Sequence, residues 1–256
     1  HLAGLPNGML LVTGPTGSGK TTTVYAAMSE IHNGREKIIT IEDPVEYELP
    51  GVLQIPVNER KGLTFARGLR SILRHDPDRI LVGEIRDAET ASIAVQSALT
   101  GHLVFTTVHA NSLFDVVGRF RHFGIDMFGF TSALNGVVAQ RLMRRLCSHC
   151  GDQRAATSAE REWLERQGRQ LDRLPLAVGC PDCHGSGYRS RFVVAEVHRI
   201  QDGFRDLVVR NVDLSELKSM AFAAGAGVRP LVQLALDAVD RGETSLEELF
   251  RVVGQV

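Results

Sequence analysis

The sequence has little of what would mark a fibrous, disulfide-rich or membrane-spanning chain. Its 256 residues include only four cysteines, nine prolines and one tryptophan, and aromatic residues make up 6%. The longest apolar runs, such as GMLLVTG at 8–14, are far shorter than the ~20 residues that a membrane-spanning helix needs. A formal net charge of −1 provides no overall field to attract nucleic acid or an acidic membrane. The remaining composition, 43% apolar and 23% charged, predicts a globular protein with a real core.

Short apolar or β-branched runs alternate with helical patterns along the chain. The runs are MLLVTG at 9–14, KIITIED at 37–43, RILVGEI at 79–85 and HLVFTTVH at 102–109. Helical patterns cover 65–75, 87–101, 157–168, 229–242 and 245–253, and only such patterns follow residue 200 or so. Thr157 and Glu160 have the spacing of a capping box. The alternation predicts an α/β fold with a mostly parallel sheet covered on both faces.

The segment GPTGSGKT at 14–21 fits the phosphate-binding pattern G-x-x-x-x-G-K-[ST] and lies between a predicted strand and a predicted helix. Its glycines let backbone N–H groups point at phosphate oxygens, and the helix N-terminus adds partial positive charge. In this pattern Lys20 reaches the β- and γ-phosphates, and the Thr21 hydroxyl holds Mg²⁺. A glycine-rich turn without a ligand is the alternative. The residues predicted to bind the nucleotide are Gly14, Pro15, Thr16, Gly17, Ser18, Gly19, Lys20, Thr21 and Thr22.

Acidic residues follow two of the predicted strands. IEDPVEYE at 41–48 places Glu42, Asp43 and Glu46 just past one strand, and Glu84 follows the run ILVG. Ligands of a parallel sheet bind beyond the carboxyl ends of its strands, so we expect these acids to converge on the phosphate-binding segment. They could contact the metal through water, orient the attacking water and sense the γ-phosphate.

Some polar residues near the strand ends also have a structural explanation. Glu42 and Glu46 could be solvated loop acids, and we interpret His102 as a core histidine. His109, at the end of VFTTVH, is expected to converge with the acids. The position of Glu84, directly after an apolar strand, is hard to explain by packing.

Four motifs in this order resemble the Walker A, Asp box, Walker B and His box of the secretion ATPase superfamily. They are GPTGSGKTTT, IEDPVEYE, GLTFARGLRSILRHDPDRILVGEIRDAETASIAVQSALTGH and TTVHANS. The resemblance runs from about residue 5 to about residue 200, with helical similarity to the end. It implies a RecA-like P-loop NTPase fold and a hexameric ATP-hydrolysing motor of type II secretion or type IV pilus assembly. The family's Walker B also lacks the usual aspartate, so glycine at position 83 is expected.

The resemblance also implies roles for individual residues. Lys20 and Thr21 bind the nucleotide and its metal, and Glu84 is the principal hydrolytic acid. The accessory residues are Glu42, Asp43, Glu46 and His109. The positions that match arginines reaching across subunit interfaces are Arg70, Arg74, Arg86 and Arg119. Arg67 shares one helical face with Arg70 and Arg74, although a solvated basic face would also account for Arg67.

The four cysteines form two C-x-x-C pairs, Cys147/Cys150 and Cys180/Cys183. Four thiolates on two tight turns suit tetrahedral Zn²⁺, and the site would be structural because no coordination position stays open. A redox pair is the alternative, although that chemistry needs one C-x-x-C near a strand–helix turn. In the family that the chain resembles, this motif marks secretion and pilus-assembly ATPases and is absent from retraction motors.

We predict three segments: a RecA-like ATPase core at 1–145, a tetracysteine zinc-binding lobe at 146–191, and a C-terminal strand and helical region at 192–256 that packs on the core. The chain begins with HLAGLPNGML, without a methionine, and we expect it to be part of a longer protein. By the resemblance, that protein is hexameric, uses ATP, Mg²⁺ and Zn²⁺, and is cytoplasmic. It would attach to the inner membrane through a platform protein and a cytoplasmic adaptor.

Four other functions share the phosphate-binding pattern. A small-molecule kinase is disfavoured because it would normally have a mobile lid, for which the zinc-type insertion is a poor candidate. A nucleic-acid-translocating ATPase on the same fold is disfavoured by the net charge of −1 and the scarcity of aromatics, so we expect no nucleic-acid partner. A zinc-stabilised scaffold would bind ATP without hydrolysing it. A GTPase is disfavoured because no NKxD sequence follows.

Overall fold

A computed structural model describes residues 1–223 and 225–254 and divides into two compact units. The first unit comprises His1–Ala139 and Val197–Val228, and the second comprises Gln140–Glu196 and the residues from Arg229 on. The chain therefore passes between the units three times. Within the described residues, no helix is long and apolar enough to cross a bilayer.

One seven-stranded sheet has the order β3-β2-β4-β5-β1-β6-β9, and the five ladders from β3 through β6 are parallel. The strands are β1 (Gly8–Thr13), β2 (Ile38–Glu42), β3 (Leu53–Pro56), β4 (Arg79–Val82), β5 (Leu103–Val108), β6 (Leu134–Leu146) and β9 (Tyr188–Arg199). Every residue of β1, β2, β4 and β5 is buried, as expected for parallel strands that are covered on both faces. The predicted α/β fold is confirmed.

The helices of the first unit are α1 (Lys20–Ile31), α2 (Phe65–Ile72), α3 (Ala88–Leu99), α4 (Leu113–His122), α5 (Met127–Ala133), α7 (Asp202–Val209) and α8 (Leu214–Ala221). Local sequence explains their ends. The Asp87 carboxylate accepts a 2.8 Å hydrogen bond from the Thr90 N–H at the start of α3. A Cβ atom at Gly68 would lie 2.7 Å from Ile41 Cδ1, so glycine permits the close approach of α2 to the sheet.

The second unit contains α6 (Ser158–Arg166), α9 (Leu231–Asp240), α10 (Leu246–Val253) and an antiparallel ladder of β7 (Gly151–Ala155) with β8 (Arg173–Ala177). The predicted capping box of Thr157 and Glu160 is present at the start of α6. Trp163, at 8% exposure, packs edge-on against Phe250 in the core of this unit. The cysteine-containing segment 146–191 falls entirely within the second unit, and the three-segment division remains a prediction.

Most predicted elements match observed ones with ends shifted by a few residues. The helical patterns at 65–75, 87–101, 157–168, 229–242 and 245–253 all contain helices, and the four predicted strands all form. β4 ends at Val82, earlier than predicted, because the chain turns out of the ladder at Gly83. The 13-residue strand β6, in LNGVVAQRLMRRL, was not predicted.

Candidate nucleotide and metal sites

A cleft of about 460 Å³ opens where the phosphate-binding segment meets the carboxyl ends of β2, β4 and β5. Its lining includes the predicted residues Thr16, Gly17, Gly19, Lys20, Thr21, Thr22, Glu42, Asp43, Glu46, Glu84 and His109. Tyr25, Tyr47 and Phe65 also contribute to its wall. The predicted convergence of strand-end acids on the phosphate-binding segment is therefore present in one cavity.

The phosphate-binding segment has the backbone that its glycines permit. Gly17 and Gly19 have φ angles of 74° and 84°, in the left-handed region that side chains rarely adopt. Gly19 is the residue before α1, so the first N–H groups of this helix, which have no partner within the helix, lie beside the cleft. Of the other predicted binding residues, Ser18 is 3% exposed and its N–H bonds the Pro15 carbonyl at 3.2 Å.

Lys20 opens α1 and its ammonium lies over the segment. Its Nζ donates to the carbonyl oxygens of Gly14 at 3.1 Å and Pro15 at 3.2 Å. Burial lowers the pKa of Lys20 from its usual value, while the negative charge of Glu84 opposes this effect. The ammonium has three N–H donors and the two carbonyls use two of them, so one donor remains for a phosphate oxygen. The arrangement therefore fits a nucleoside triphosphate.

Glu84 lies just past β4 with its side chain 14% exposed. Arg86 Nη2 donates to Glu84 Oε1, and Arg86 Nη1 lies 3.3 Å from Asp43 Oδ2. Glu84 Oε2 lies 3.1 Å from His109 Nε2, yet it accepts no hydrogen bond among the described residues. The hydrogen bond to Glu84 is the main reason that the pKa of Arg86 is raised, so this guanidinium stays charged beside the two carboxylates. Glu84 thus keeps unused hydrogen-bonding capacity at a buried oxygen that lies beside His109.

The geometry explains why glycine occupies position 83. A Cβ atom there would lie 3.2 Å from the Ile41 carbonyl oxygen and 3.3 Å from Glu42 Cα, which is tighter than ordinary contact. Thr107 Oγ1 donates to the Gly83 carbonyl at 2.7 Å and ties this turn to β5. An aspartate side chain would therefore crowd the end of β2, and the acidic group is supplied one residue later by Glu84.

Glu42 is not a solvated loop acid, which was the alternative to its predicted role in the site. It is 3% exposed at the end of β2 and accepts hydrogen bonds from Tyr25 Oη, Thr40 Oγ1 and Gln54 Nε2. The solvated interpretation is wrong for this residue, whereas Glu46 is exposed. Sequence reasoning missed Tyr25 and Gln54, because neither belongs to a recognised motif.

The predicted arginines occupy two kinds of position. Only Arg86 contacts acids of the cleft. Arg70 Nη1 pairs with Glu89 at 2.6 Å on the surface, and Arg74 Nη1 donates to the Arg70 carbonyl. The guanidinium of Arg119 lies 5.5 Å from the Phe123 ring centroid, and its Nε makes no hydrogen bond among the described residues. The fold does not bring Arg70, Arg74 or Arg119 into the cleft of their own chain.

His102 precedes β5 and lies outside the cleft lining. Its Nδ1 lies 3.0 Å from the Ser97 carbonyl oxygen at the end of α3. This hydrogen bond satisfies one ring nitrogen within the fold, in keeping with a structural histidine.

The four cysteine sulfurs of the second unit all lie within 4.8 Å of one another. The separations are 3.9 Å for Cys147–Cys180, 3.7 Å for Cys150–Cys183 and 3.7 Å for Cys180–Cys183. Four sulfurs on a tetrahedron, each about 2.3 Å from a central Zn²⁺, would be about 3.8 Å apart. These distances exclude disulfides, whose S–S bond is about 2.05 Å.

Backbone donors surround the cysteine cluster. The N–H groups of Cys180 and Gly187 donate to Cys183 Sγ at 3.1 and 3.2 Å, and the Gly179 N–H donates to Cys150 Sγ at 3.3 Å. Although burial raises the pKa of Cys183, the N–H donors to this thiol and its neighbouring thiols outweigh burial and lower the pKa to about 6, whereas burial raises the pKa of Cys150 to about 12. The spacing of the four sulfurs, with backbone donors to two of them, fits a four-thiolate zinc ion.

Comparisons with known proteins agree with this geometry. Residues 1–251 match the family described as Type II/IV secretion system protein. The type II secretion system ATPase E of Vibrio cholerae is 44% identical over 247 residues, which are 96% of this chain and 48% of that protein. The type IV pilus assembly ATPase PilB of Thermus thermophilus is 43% identical over 250 residues, which are 96% of this chain and 28% of that protein.

A solved structure supports the same assignment. The crystal structure of the pilus retraction motor PilT with bound ADP matches with a TM-score of 0.73 and 29% identity, covering 98% of this chain and 62% of that one. The chain spans about half the length of the Vibrio cholerae relative and less of the pilus protein. The predicted RecA-like fold and the resemblance to secretion ATPases are confirmed. The chain belongs to the type II/IV secretion system protein family.

Proposed function

We propose that this chain is an ATP-hydrolysing motor domain that powers type II protein secretion or type IV pilus assembly. The observation that carries the proposal is the pairing of Lys20 with Glu84 across one cleft. Lys20 is held over a glycine-rich backbone, and Glu84 presents an oxygen that accepts no hydrogen bond among the described residues. A phosphate-binding cation opposite such a carboxylate suits attack of water on a phosphoryl group.

The residues of the cleft have different roles in ATP hydrolysis. The backbone of residues 14–22 and Lys20 bind the phosphates, and the Thr21 hydroxyl would hold Mg²⁺, which neutralises phosphate charge when bound. Glu84 orients and deprotonates the attacking water. His109, close to Glu84 Oε2, senses the γ-phosphate, and Asp43, Glu46 and Glu42 support the metal and water indirectly.

We further propose a structural Zn²⁺ held by Cys147, Cys150, Cys180 and Cys183, whose spacing and backbone donors suit it. The segment 146–191 would then be a zinc-binding lobe between an ATPase core at 1–145 and a C-terminal region at 192–256. His149 and His184 lie beside the cysteines but add no ligand to a complete four-thiolate site.

In the whole protein we expect a hexamer in which Arg70, Arg74 and Arg119 reach the neighbouring cleft. Their absence from the cleft of their own chain supports an intersubunit role. The motor would be cytoplasmic and attached to the inner membrane through a platform protein and an adaptor. ATP hydrolysis would drive a cycle of conformational changes in the motor. We expect no nucleic-acid partner.

Phosphate release by the purified chain with Mg²⁺ and ATP tests this function. The parent chain should release phosphate, and Glu84→Gln should bind ATP but turn over about 10²- to 10⁴-fold more slowly, since the water loses its carboxylate. Glu30→Gln, on the exposed side of α1, is the matched control and should behave as the parent.

Three outcomes would contradict the assignment. Near-normal turnover by Glu84→Gln would remove Glu84 from its role. ATP binding without phosphate release by the parent chain would favour a zinc-stabilised scaffold. Stimulation of turnover by DNA or RNA would favour a nucleic-acid motor.

A further inference from the structure

Tyr25 lies on the helix that begins with the phosphate-binding lysine. It is 0% exposed, five residues after Lys20 on α1, and its hydroxyl donates to Glu42 Oε2. The Tyr47 ring packs edge-on against the Tyr25 ring with 4.7 Å between centroids. Burial, and secondly Glu42, raise the pKa of Tyr25, so the phenol remains a proton donor at neutral pH.

The Glu42 carboxylate is held at both oxygens. Oε1 accepts from Thr40 Oγ1 at 2.5 Å and from Gln54 Nε2 at 3.2 Å, while Oε2 accepts from Tyr25. A carboxylate has about four lone-pair positions, two on each oxygen. Three donors from the described part of the chain therefore leave one position open, on Oε2 beside the Tyr25 hydroxyl.

This arrangement connects two parts of the cleft. Tyr25 is carried by α1, whose first residues hold the phosphate-binding segment, and Glu42 is carried by β2. Gln54 Nε2 also lies 3.2 Å from both the Tyr25 hydroxyl and the Tyr47 carbonyl oxygen. The hydroxyl thus fixes a cleft carboxylate relative to the helix that binds the nucleotide.

We propose that Tyr25 is a positioning residue for ATP hydrolysis, holding the Glu42 carboxylate so that its one open lone pair accepts from water in the cleft. The inference rests on the proposed ATPase function. Tyr25 makes no contact with the nucleotide in this role and acts only through Glu42. A purely structural role would stabilise the fold without affecting the position of the Glu42 carboxylate.

The test is Tyr25→Phe, which removes only the hydroxyl. We expect kcat to fall by roughly ten- to hundred-fold, a part of what a positioned acid–base group contributes, with KM within about twofold. Equilibrium binding of a fluorescent ATP analogue should be unchanged.

Several other ionisable groups share the cleft with Glu42. They are Lys20, Tyr25, Asp43, Glu46, Tyr47, Glu84 and His109. A double-mutant cycle with Glu42→Gln tests whether Tyr25 acts through Glu42 and not through one of these groups. Adding Tyr25→Phe to Glu42→Gln should cause no further loss, whereas independent roles would give additive losses.

Tyr188→Phe is the matched control, because it removes a phenol hydroxyl bonded to Ser245 in the second unit. It should leave kcat unchanged. If Tyr25→Phe does not fold, Thr40→Val removes another donor to the same carboxylate and should also lower kcat at constant KM. Parental kcat in a folded variant, or additive losses in the cycle, would overturn the inference. A parent chain that releases no phosphate would instead refute the proposed function.

Discussion

Arg86 and Glu84, two residues apart beyond the end of β4, are joined by a hydrogen-bonded ion pair within one chain. Arg86 also lies 3.3 Å from Asp43 beyond β2, so one guanidinium bridges the acids of two strand ends. The resemblance to secretion ATPases placed Arg86 among arginines that act across subunits. The contacts within the chain point to a second task, which is to hold Glu84 in place.

Arg86→Ala is therefore expected to lower turnover at every protein concentration. Glu84 would lose its only hydrogen-bond donor among the described residues, and its carboxylate would no longer be held beside Asp43. Specific activity measured over a hundred-fold range of chain concentration should show a constant ratio of variant to parent. A ratio that approaches one in dilute protein would mean that Arg86 acts mainly on a neighbour.

Arg70→Ala and Arg74→Ala should behave differently. The parent chain should gain specific activity as it is concentrated, because assembly supplies charges that stabilise the transferring phosphoryl group, and such arginines are worth 10³–10⁵ in rate. Either variant should abolish that gain and bind ATP as the parent does. Sedimentation in parallel reports assembly, and Arg60→Ala, an exposed change near α2, serves as the control. A fast, concentration-independent rate from a monomer would contradict this account.

The cysteine cluster predicts about one zinc per chain. Thiolate-bound structural zinc is held tightly, so it should survive dialysis and leave only with strong chelators or thiol-modifying reagents. Cys147→Ser or Cys183→Ser should lose the metal and unfold the 147–191 segment, while nucleotide binding by the first unit persists. His149→Ala should retain the metal, since four thiolates complete the site. Folded parent protein without metal by elemental analysis would refute the zinc assignment.

Glu248 predicts how the second unit responds to acid. It is fully buried, and although burial raises its pKa, hydrogen bonds from Arg251 and Arg144 outweigh burial and lower it to about 2. A folded pKa below the unfolded value of about 4.3 stabilises the fold above pH 4.3, and this contribution is lost as pH falls towards 2. The loss should be on the order of 3 kcal/mol in the free energy of unfolding.

Urea unfolding at several pH values can measure this loss. Trp163 is the chain's single tryptophan and lies in the core of the second unit, so its fluorescence reports that unit. Glu248→Gln should show a smaller fall between pH 5 and pH 2. Part of the fall should persist, because the pKa of Glu160 is also lowered to about 2, chiefly by Arg154. The exposed Glu165→Gln should follow the parent, and an equal fall in Glu248→Gln would contradict the prediction.

Much of the cleft was predictable because its signals are local. The glycines and lysine of residues 14–21 carry their geometry in their spacing, and the acids after two strands converge because parallel strands end at one edge. The burial of Glu42 was not predictable, because it depends on Tyr25 and Gln54, which lie 17 and 12 residues away in sequence. From sequence alone, a glutamate is expected at the surface, because the hydrogen-bond donors that would allow its burial are not yet identified.

The missed strand β6 shows a second limit. Its residues Arg141, Arg144 and Arg145 break the apolar pattern that marks buried strands, and its pairing with β1 spans more than 120 residues of sequence. Tertiary contacts, such as the ion pair between the Arg144 guanidinium and Glu248, compensate for a charge of this kind. Strand propensity alone contains none of that information.

The position of β5 between β1 and β4 has a consequence for the size of what the cleft can hold. Hydrogen-bonded strands lie ~4.8 Å apart, so the segment after β1 is ~10 Å from the acid after β4 and ~14 Å from the acid after β2. Exchanging glutamate for aspartate moves a carboxylate by about one C–C bond, ~1.5 Å, which is well below one strand step. A change of side chain therefore moves the acidic group by less than the spacing between two strands. The number of strands between the phosphate-binding segment and the acids determines how long a ligand the cleft can hold.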